Sequence, residues 1–285
     1  MKRRKRKNNV LQLKQTYASR INNFKRQIIY YLGLLKCEGI ECILDRKTIE
    51  SIFRIRNNIY PKIVADDGVL ITNKIKRAIR SDFDFFLSQE RISVDFTDKK
   101  LSPKGIYKYL NTINAYVDAN EENPTPRNAR LITSYRSKIA DFRELLYKGL
   151  KEIYEIMDFF GFHITIMDQS ICWLESDIQK GNSERSGYFI ILKEHIPEKR
   201  SIIIDKHPRP IFPVCLAFAN HGIEFVSVPS HDINKDGAII NLNIQVYFQN
   251  HLFRRFEERL DCISLPMIQL SLFFSVKNHK IIEFR

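Results

Sequence analysis

The chain has 285 residues, 44% hydrophobic and 12% aromatic, which excludes general disorder and is enough to bury a real core. Its 46 Lys and Arg exceed its 33 Asp and Glu, for a formal net charge of +13. The excess lies at one end: residues 1–37 hold 11 basic and no acidic side chains, and the other 248 hold 35 and 33.

The run Lys2-Arg3-Arg4-Lys5-Arg6-Lys7 repels itself, so residues 1–9 are expected to form a disordered basic arm. Such an arm attracts RNA or DNA phosphates without reading sequence. The same charge also suits a solubility tail or an anionic membrane surface. The nucleic-acid reading is taken forward, with no membrane contact. Ile28–Leu35 imitates a signal-sequence core, but glycine interrupts it, Lys36 ends it, and no cleavage site follows. It is also too short to span a bilayer.

Val10, Leu13, Tyr17, Ile21, Phe24, Ile28, Tyr31 and Leu35 predict an amphipathic helix with a basic opposite face. Helices are also predicted around Arg46–Asn57, Asn73–Gln89 and Pro103–Asp118, the last opened by Ser102-Pro103. Residues 10–117 therefore read as a helical domain. The polar stretch 118–128, with Pro124 and Pro126, reads as a linker. A long helix is expected from about Asn128 to Phe160, stopped at Gly161. Short β-rich runs follow at Phe162–Met167, Tyr188–Lys193, Ser201–Asp205, Ile223–Val228 and Ile239–Phe248. Helical Ser264–Ser275 and a strand at Lys280–Arg285 close the region 129–285. The fold class is α+β: a helical N-terminal half, then a mixed α/β C-terminal region with a mainly antiparallel sheet.

The segment after Gln249 carries the chemistry. At 100° per residue, Leu252, Phe253, Phe256, Leu260 and Ile263 share an arc of about 100°. His251, Arg255 and Glu258 share about 60° on the other side, beside Arg259. Asn250 is a good N-cap. It leaves His251 in the first turn, where the helix dipole favours neutral imidazole. Guanidinium groups grip phosphate by paired hydrogen bonds. The stripe therefore suits metal-free RNA cleavage. His251 or Glu258 removes a 2′-hydroxyl proton, the oxygen attacks the adjacent phosphorus, and Arg255 and Arg259 stabilise the charge. A solvated face laced with ion pairs is the plain alternative.

Gln249-Asn250-His251, Arg255, Glu258-Arg259 and Leu260-Asp261 resemble the His-x3-Arg-x2-Glu-Arg element of small toxin-like proteins. These are grouped with the barnase/colicin/RelE-like ribonuclease superfamily. The resemblance covers about Val246–Phe274. It implies a toxin-like or defence-associated endoribonuclease, catalytic His251, Arg255, Glu258 and Arg259, and an antitoxin or other protein partner. In that family the sheet follows the helix. Here the preceding strands substitute for it or the domain is C-terminally incomplete. The alternative function is a non-catalytic nucleic-acid-binding or protein-interaction module.

Other motifs carry less. Asp232–Ile239 matches the start of a calcium loop, but its twelfth position is Asn243, and a hairpin turn around Gly237 explains it better. Cys37, Cys42, Cys172, Cys215 and Cys262 form no CxxC and read as reduced thiols of a cytoplasmic protein. The histidines lack metal-site spacing, and no cofactor or metal is expected.

Overall fold

The computed structural model describes residues 2–37, 44–56, 58–65, 72–95, 97–179, 187–229, 243–249, 251–259 and 265–278. The elements are α1 (Lys2–Leu34), α2 (Arg46–Arg54), β1 (Asn58–Ala65), α3 (Asn73–Ser88), β2 (Ile92–Val94) and β3 (Thr97–Leu101). An α turn (Pro103–Gly105) and a π segment (Ile106–Leu110) then lead into α4 (Asn111–Asn120), followed by α5 (Ala129–Arg136) and α6 (Ile139–Ile164). Next come β4 (Ile171–Gln179), β5 (Gly187–His195), β6 (Arg200–Ile204), β7 (His207–Pro213), β8 (Cys215–Phe218), β9 (Gly222–Phe225) and β10 (Ser227–Pro229). β11 (Asn243–Gln245), β12 (Tyr247–Gln249), α7 (His251–Arg259) and α8 (Leu265–Lys277) complete the series. Helices dominate the N-terminal part and antiparallel strands the C-terminal part, so the fold is α+β.

α1 is continuous from Lys2, so the basic run forms its first turns in place of a disordered arm. Lys and Arg are good helix formers, and extending an existing helix costs far less than starting one. The hairpin turn around Gly237, Asn250 and the strand at 280–285 lie outside the described residues.

The chain divides into two compact units, and neither matches the boundaries expected from sequence. The first comprises Met1–Pro61, Ser81–Ile153 and Asp177–Phe189. Its core joins Ile21, Phe24, Ile28 and Leu32 of α1, and Leu35 just past its end, to Ile49, Ile52 and Phe53 of α2, with Leu110, Ile113 and Val117. Asp45 caps α2, its Oδ1 accepting the Thr48 N–H at 2.7 Å. Ser102 Oγ likewise accepts the Gly105 N–H at 3.1 Å, with Pro103 opening the turn.

The polar stretch 118–128 does not separate domains. Asn128 is buried; its Oδ1 accepts from Thr125 N at 2.7 Å and its Nδ2 donates to Asn120 Oδ1 at 3.2 Å. Side-chain amides thus fold the stretch into a local turn. Leu131, Tyr135 and Phe142 beyond it belong to the same core as Ile113 and Val117. The long helix expected from Asn128 is broken at Ser137, whose Oγ donates to the Ser134 carbonyl at 2.8 Å.

The second unit comprises Lys62–Arg80, Tyr154–Ser176 and Ile190–Arg285. α6 runs past Gly161 to Ile164, and the strand expected over Phe162–Met167 is that helix end and a tight turn. Thr165 Oγ1 donates to Gly161 O at 2.8 Å and accepts from Cys172 N at 2.9 Å. Buried Gln269 of α8 closes the turn, accepting from Met167 N at 2.7 Å and donating to Thr165 O at 2.9 Å. A Cβ on Gly161 would stand 3.2 Å from the Cys172 carbonyl, so its role is close approach of β4.

β6 and β7 form a hairpin in which Ile204 faces His207, and Asp205 and Lys206 both take positive φ, 51° and 63°. This two-residue turn matches the twist of the strands. His207–Pro210 forms the first part of β7. Its prolines survive there because β12 pairs only with Ile211–Pro213, leaving Pro208 and Pro210 with β6 alone as partner. The core of this unit gathers Met167, Phe212, Val214, Leu216 and Val226 under Ile268 and Phe273 of α8.

Candidate nucleic-acid interface

In the first unit, Tyr17, Arg20 and Phe24 occupy one stripe of α1 at i, i+3 and i+7. Phe53 of α2 meets two of them edge-on, its ring centroid 5.9 Å from Tyr17 and 5.2 Å from Phe24. Arg56 lies over the Phe53 ring at 3.9 Å, and its Nη1 donates to the Phe53 carbonyl at 2.7 Å. Tyr109 of the π segment tilts onto Phe24 at 5.5 Å and onto Tyr31 at 5.1 Å. The Lys108 Nζ is 5.2 Å from the Tyr109 ring centroid. Lys104 precedes it by four positions and is held by Asp84, Nζ to Oδ1 2.7 Å.

Four cations, from α1, the residue pair after α2, the α turn and the π segment, thus gather at one aromatic cluster. Burial first, and then the charges of Lys104, Arg56 and Arg20, hold the Lys108 ammonium below the ordinary lysine range. A partly desolvated cation ringed by cations favours an anionic visitor, and Tyr17, 46% exposed, adds an accessible ring. Only part of this arrangement is local in sequence: Arg20 flanks the apolar stripe of α1, and Lys104 and Lys108 stand one turn apart. Nothing local to Arg56 announced that it joins them.

A groove of about 720 Å³ in the same unit is lined by Lys36, Arg130 and Lys138 with the hydroxyls of Thr133, Ser134 and Ser137. Lys36 sits just past α1 with φ at 53°, where Lys36 N donates to Gly33 O at 3.0 Å.

The sequence-predicted site residues fall in different units. Lys2, Arg3, Arg4, Lys5, Arg6 and Lys7 belong to the first, as the opening turns of α1. His251, Arg255, Glu258 and Arg259 lie on α7 in the second. β12 delivers the chain to α7, pairing Phe248 with Phe212 and Gln249 with Ile211 of β7. Phe248 packs on the core, and α7 packs against α8. His251 is half-buried, while Arg255, Glu258 and Arg259 are exposed along the helix.

Among the described residues no group of three or more His, Cys, Asp or Glu is placed to hold a metal ion. No described helix is long and apolar enough to cross a membrane. No protein-family model, curated protein or solved structure matches the chain.

Proposed function

We propose that this protein binds RNA or DNA through the phosphate backbone, with Arg20, Arg56, Lys104 and Lys108 as the principal contact. The observation that carries this reading is their convergence on the Phe24–Phe53–Tyr109 cluster, where cations and an exposed Tyr17 ring stand side by side. That combination suits single-stranded chains, whose phosphates meet cations and whose bases stack on aromatic rings. The basic turns at Lys2–Lys7 add sequence-independent attraction. Cys37, Cys172 and Cys215 are free thiols, which supports a reducing, cytoplasmic setting. The test is anisotropy of a labelled single-stranded RNA across a salt series. Replacing Arg20, Arg56 and Lys108 together by Ala lowers the slope of log K on log salt by about 2, at roughly 0.7 per lost contact. An unchanged slope ends this reading.

A second reading, a toxin-like metal-independent ribonuclease, draws support from the exposed stripe on a helix whose leading strand is tied to β7. In it His251 or Glu258 moves the proton of the 2′-hydroxyl, Arg255 and Arg259 hold the phosphate, and a protein inhibitor of antitoxin type is the expected partner. Cleavage of single-stranded RNA in chelator, lost in His251→Ala and Glu258→Gln, is its signature. Pure protein that binds RNA and cleaves none removes it.

A further inference from the structure

Three strand segments of the second unit meet at Val214, Val226 and Val246. Each valine interrupts one segment: Val214 between β7 and β8, Val226 between β9 and β10, Val246 between β11 and β12. Their backbones close a ring: Val214 N donates to Val246 O at 2.9 Å, Val246 N to Val226 O at 3.0 Å, and Val226 N to Val214 O at 2.9 Å. All three side chains join the core or pack against it. Because side chains alternate along an extended chain, the residues flanking the valines point the other way. Pro213, Phe225, Ser227, Gln245 and Tyr247 accordingly line a depression of about 480 Å³ on the outer side of the junction, a size typical of small-ligand sites.

The chemistry of the rim is specific. Phe225, 42% exposed, presents a ring and meets His195 edge-on at 6.3 Å. Arg200 lies over the Tyr247 ring at 5.5 Å and is paired at 3.2 Å with exposed Glu198, which also lines the depression. The Tyr247 hydroxyl donates to Gln245 Oε1 at 3.0 Å, which fixes the amide and leaves its Nε2 to donate. Flat aromatic walls, an oriented amide donor, the Ser227 hydroxyl and a guanidinium are what a nucleotide requires: stacking for the base, hydrogen bonds for its edge, a cation for its phosphate.

We infer that this depression holds one nucleobase of a bound single strand, with its phosphate on Arg200. The inference rests on the nucleic-acid reading above and adds a base-accepting site to it.

The experiment titrates the full chain with each of the four 5′-ribonucleotides and with ribose 5-phosphate, followed by saturation-transfer NMR. At least one nucleotide binds, and ribose 5-phosphate binds at least tenfold more weakly. Tyr247→Leu weakens the nucleotide by about tenfold, the size expected for one lost stacking contact, and Tyr247→Phe restores most of it. Arg200→Gln weakens the nucleotide and leaves the matching nucleoside unchanged. Equal binding of ribose 5-phosphate, or a Tyr247→Leu variant that is folded and binds unchanged, overturns the inference. RNA anisotropy on the same samples separates the two claims. RNA binding without nucleotide binding sinks the base site alone. Nucleotide binding sensitive to Tyr247, with no RNA binding, sinks the single-strand reading, and with it the base of a strand as occupant.

Discussion

The Val214 N–H donates to the Val246 carbonyl at 2.9 Å across 32 positions of sequence, and that bond is one side of the closed ring through Val226. It explains how strands of three to seven residues form a stable surface. Each segment pairs with one neighbour before its valine and another after it, so buried backbone groups stay satisfied where the pairing changes. Val226→Pro, which removes the donor to Val214, is expected to cost about 3 kcal/mol or more. Val226→Thr, which retains the N–H, is expected to cost less. Urea denaturation of the two variants checks the order.

Gly105 admits no side chain. A Cβ there would fall on the Tyr31 hydroxyl and close to Ser102 Oγ. Gly105→Ala is expected to destabilise by about 2 kcal/mol, the usual scale of overpacking. Part of that loss returns in a Tyr31→Phe background. A double-mutant cycle in urea measures the coupling, and zero coupling contradicts the contact.

Gln269 satisfies two backbone groups of the turn after α6 while itself 2% exposed. Gln269→Leu strands the Met167 N–H and the Thr165 carbonyl without partners, at a cost of about 2 to 4 kcal/mol. Thermal unfolding of this variant should show a clear drop, and a change within error removes the role.

Under the proposed RNA-binding function, Lys108 sets binding against stability. Its folded pKa lies below its unfolded one, so the unfolded chain keeps the proton more readily and stability rises as pH climbs through that interval. At neutral pH the charge is therefore a burden. Lys108→Met is expected to raise the urea midpoint at low salt and to weaken RNA binding in the same preparation. A midpoint that falls argues against the crowding of cations.

Asp158 works with the opposite sign. Burial raises its carboxyl above the usual range, and its Oδ1 accepts the Ala219 N–H at 2.6 Å. The folded chain holds this proton more tightly, so its contribution is full below the unfolded value and fades as pH rises through the folded one. Asp158→Asn keeps an acceptor for Ala219 and flattens that part of the pH–stability curve. Urea midpoints of both proteins from acid to neutral pH give the comparison.

Features set by near neighbours can be read directly along the chain. The stripe from Ile21 to Leu35, the Ser102-Pro103 helix start, and the runs that became β5, β6 and β9 were readable, and with them the α+β class. Hydrophobic period and capping chemistry act within a few residues, so they survive in a one-dimensional reading. Elsewhere distant groups overrode local preference. Asn128 with Asn120, and the shared core of Leu131 and Val117, turned an expected linker into a loop inside one unit. Gln269 reached back to Thr165 and Met167 and made a turn of an expected strand.

The site divides the same way. His251, Arg255, Glu258 and Arg259 share one helix, so their common stripe was visible from spacing. Arg20, Arg56 and Lys108 meet only because α1, α2 and the 103–120 helical run pack their aromatic rings together. The depression at Tyr247 exists only because three valines far apart in the chain bond to one another. Such groupings depend on which surfaces find each other during burial, and only tertiary packing decides that.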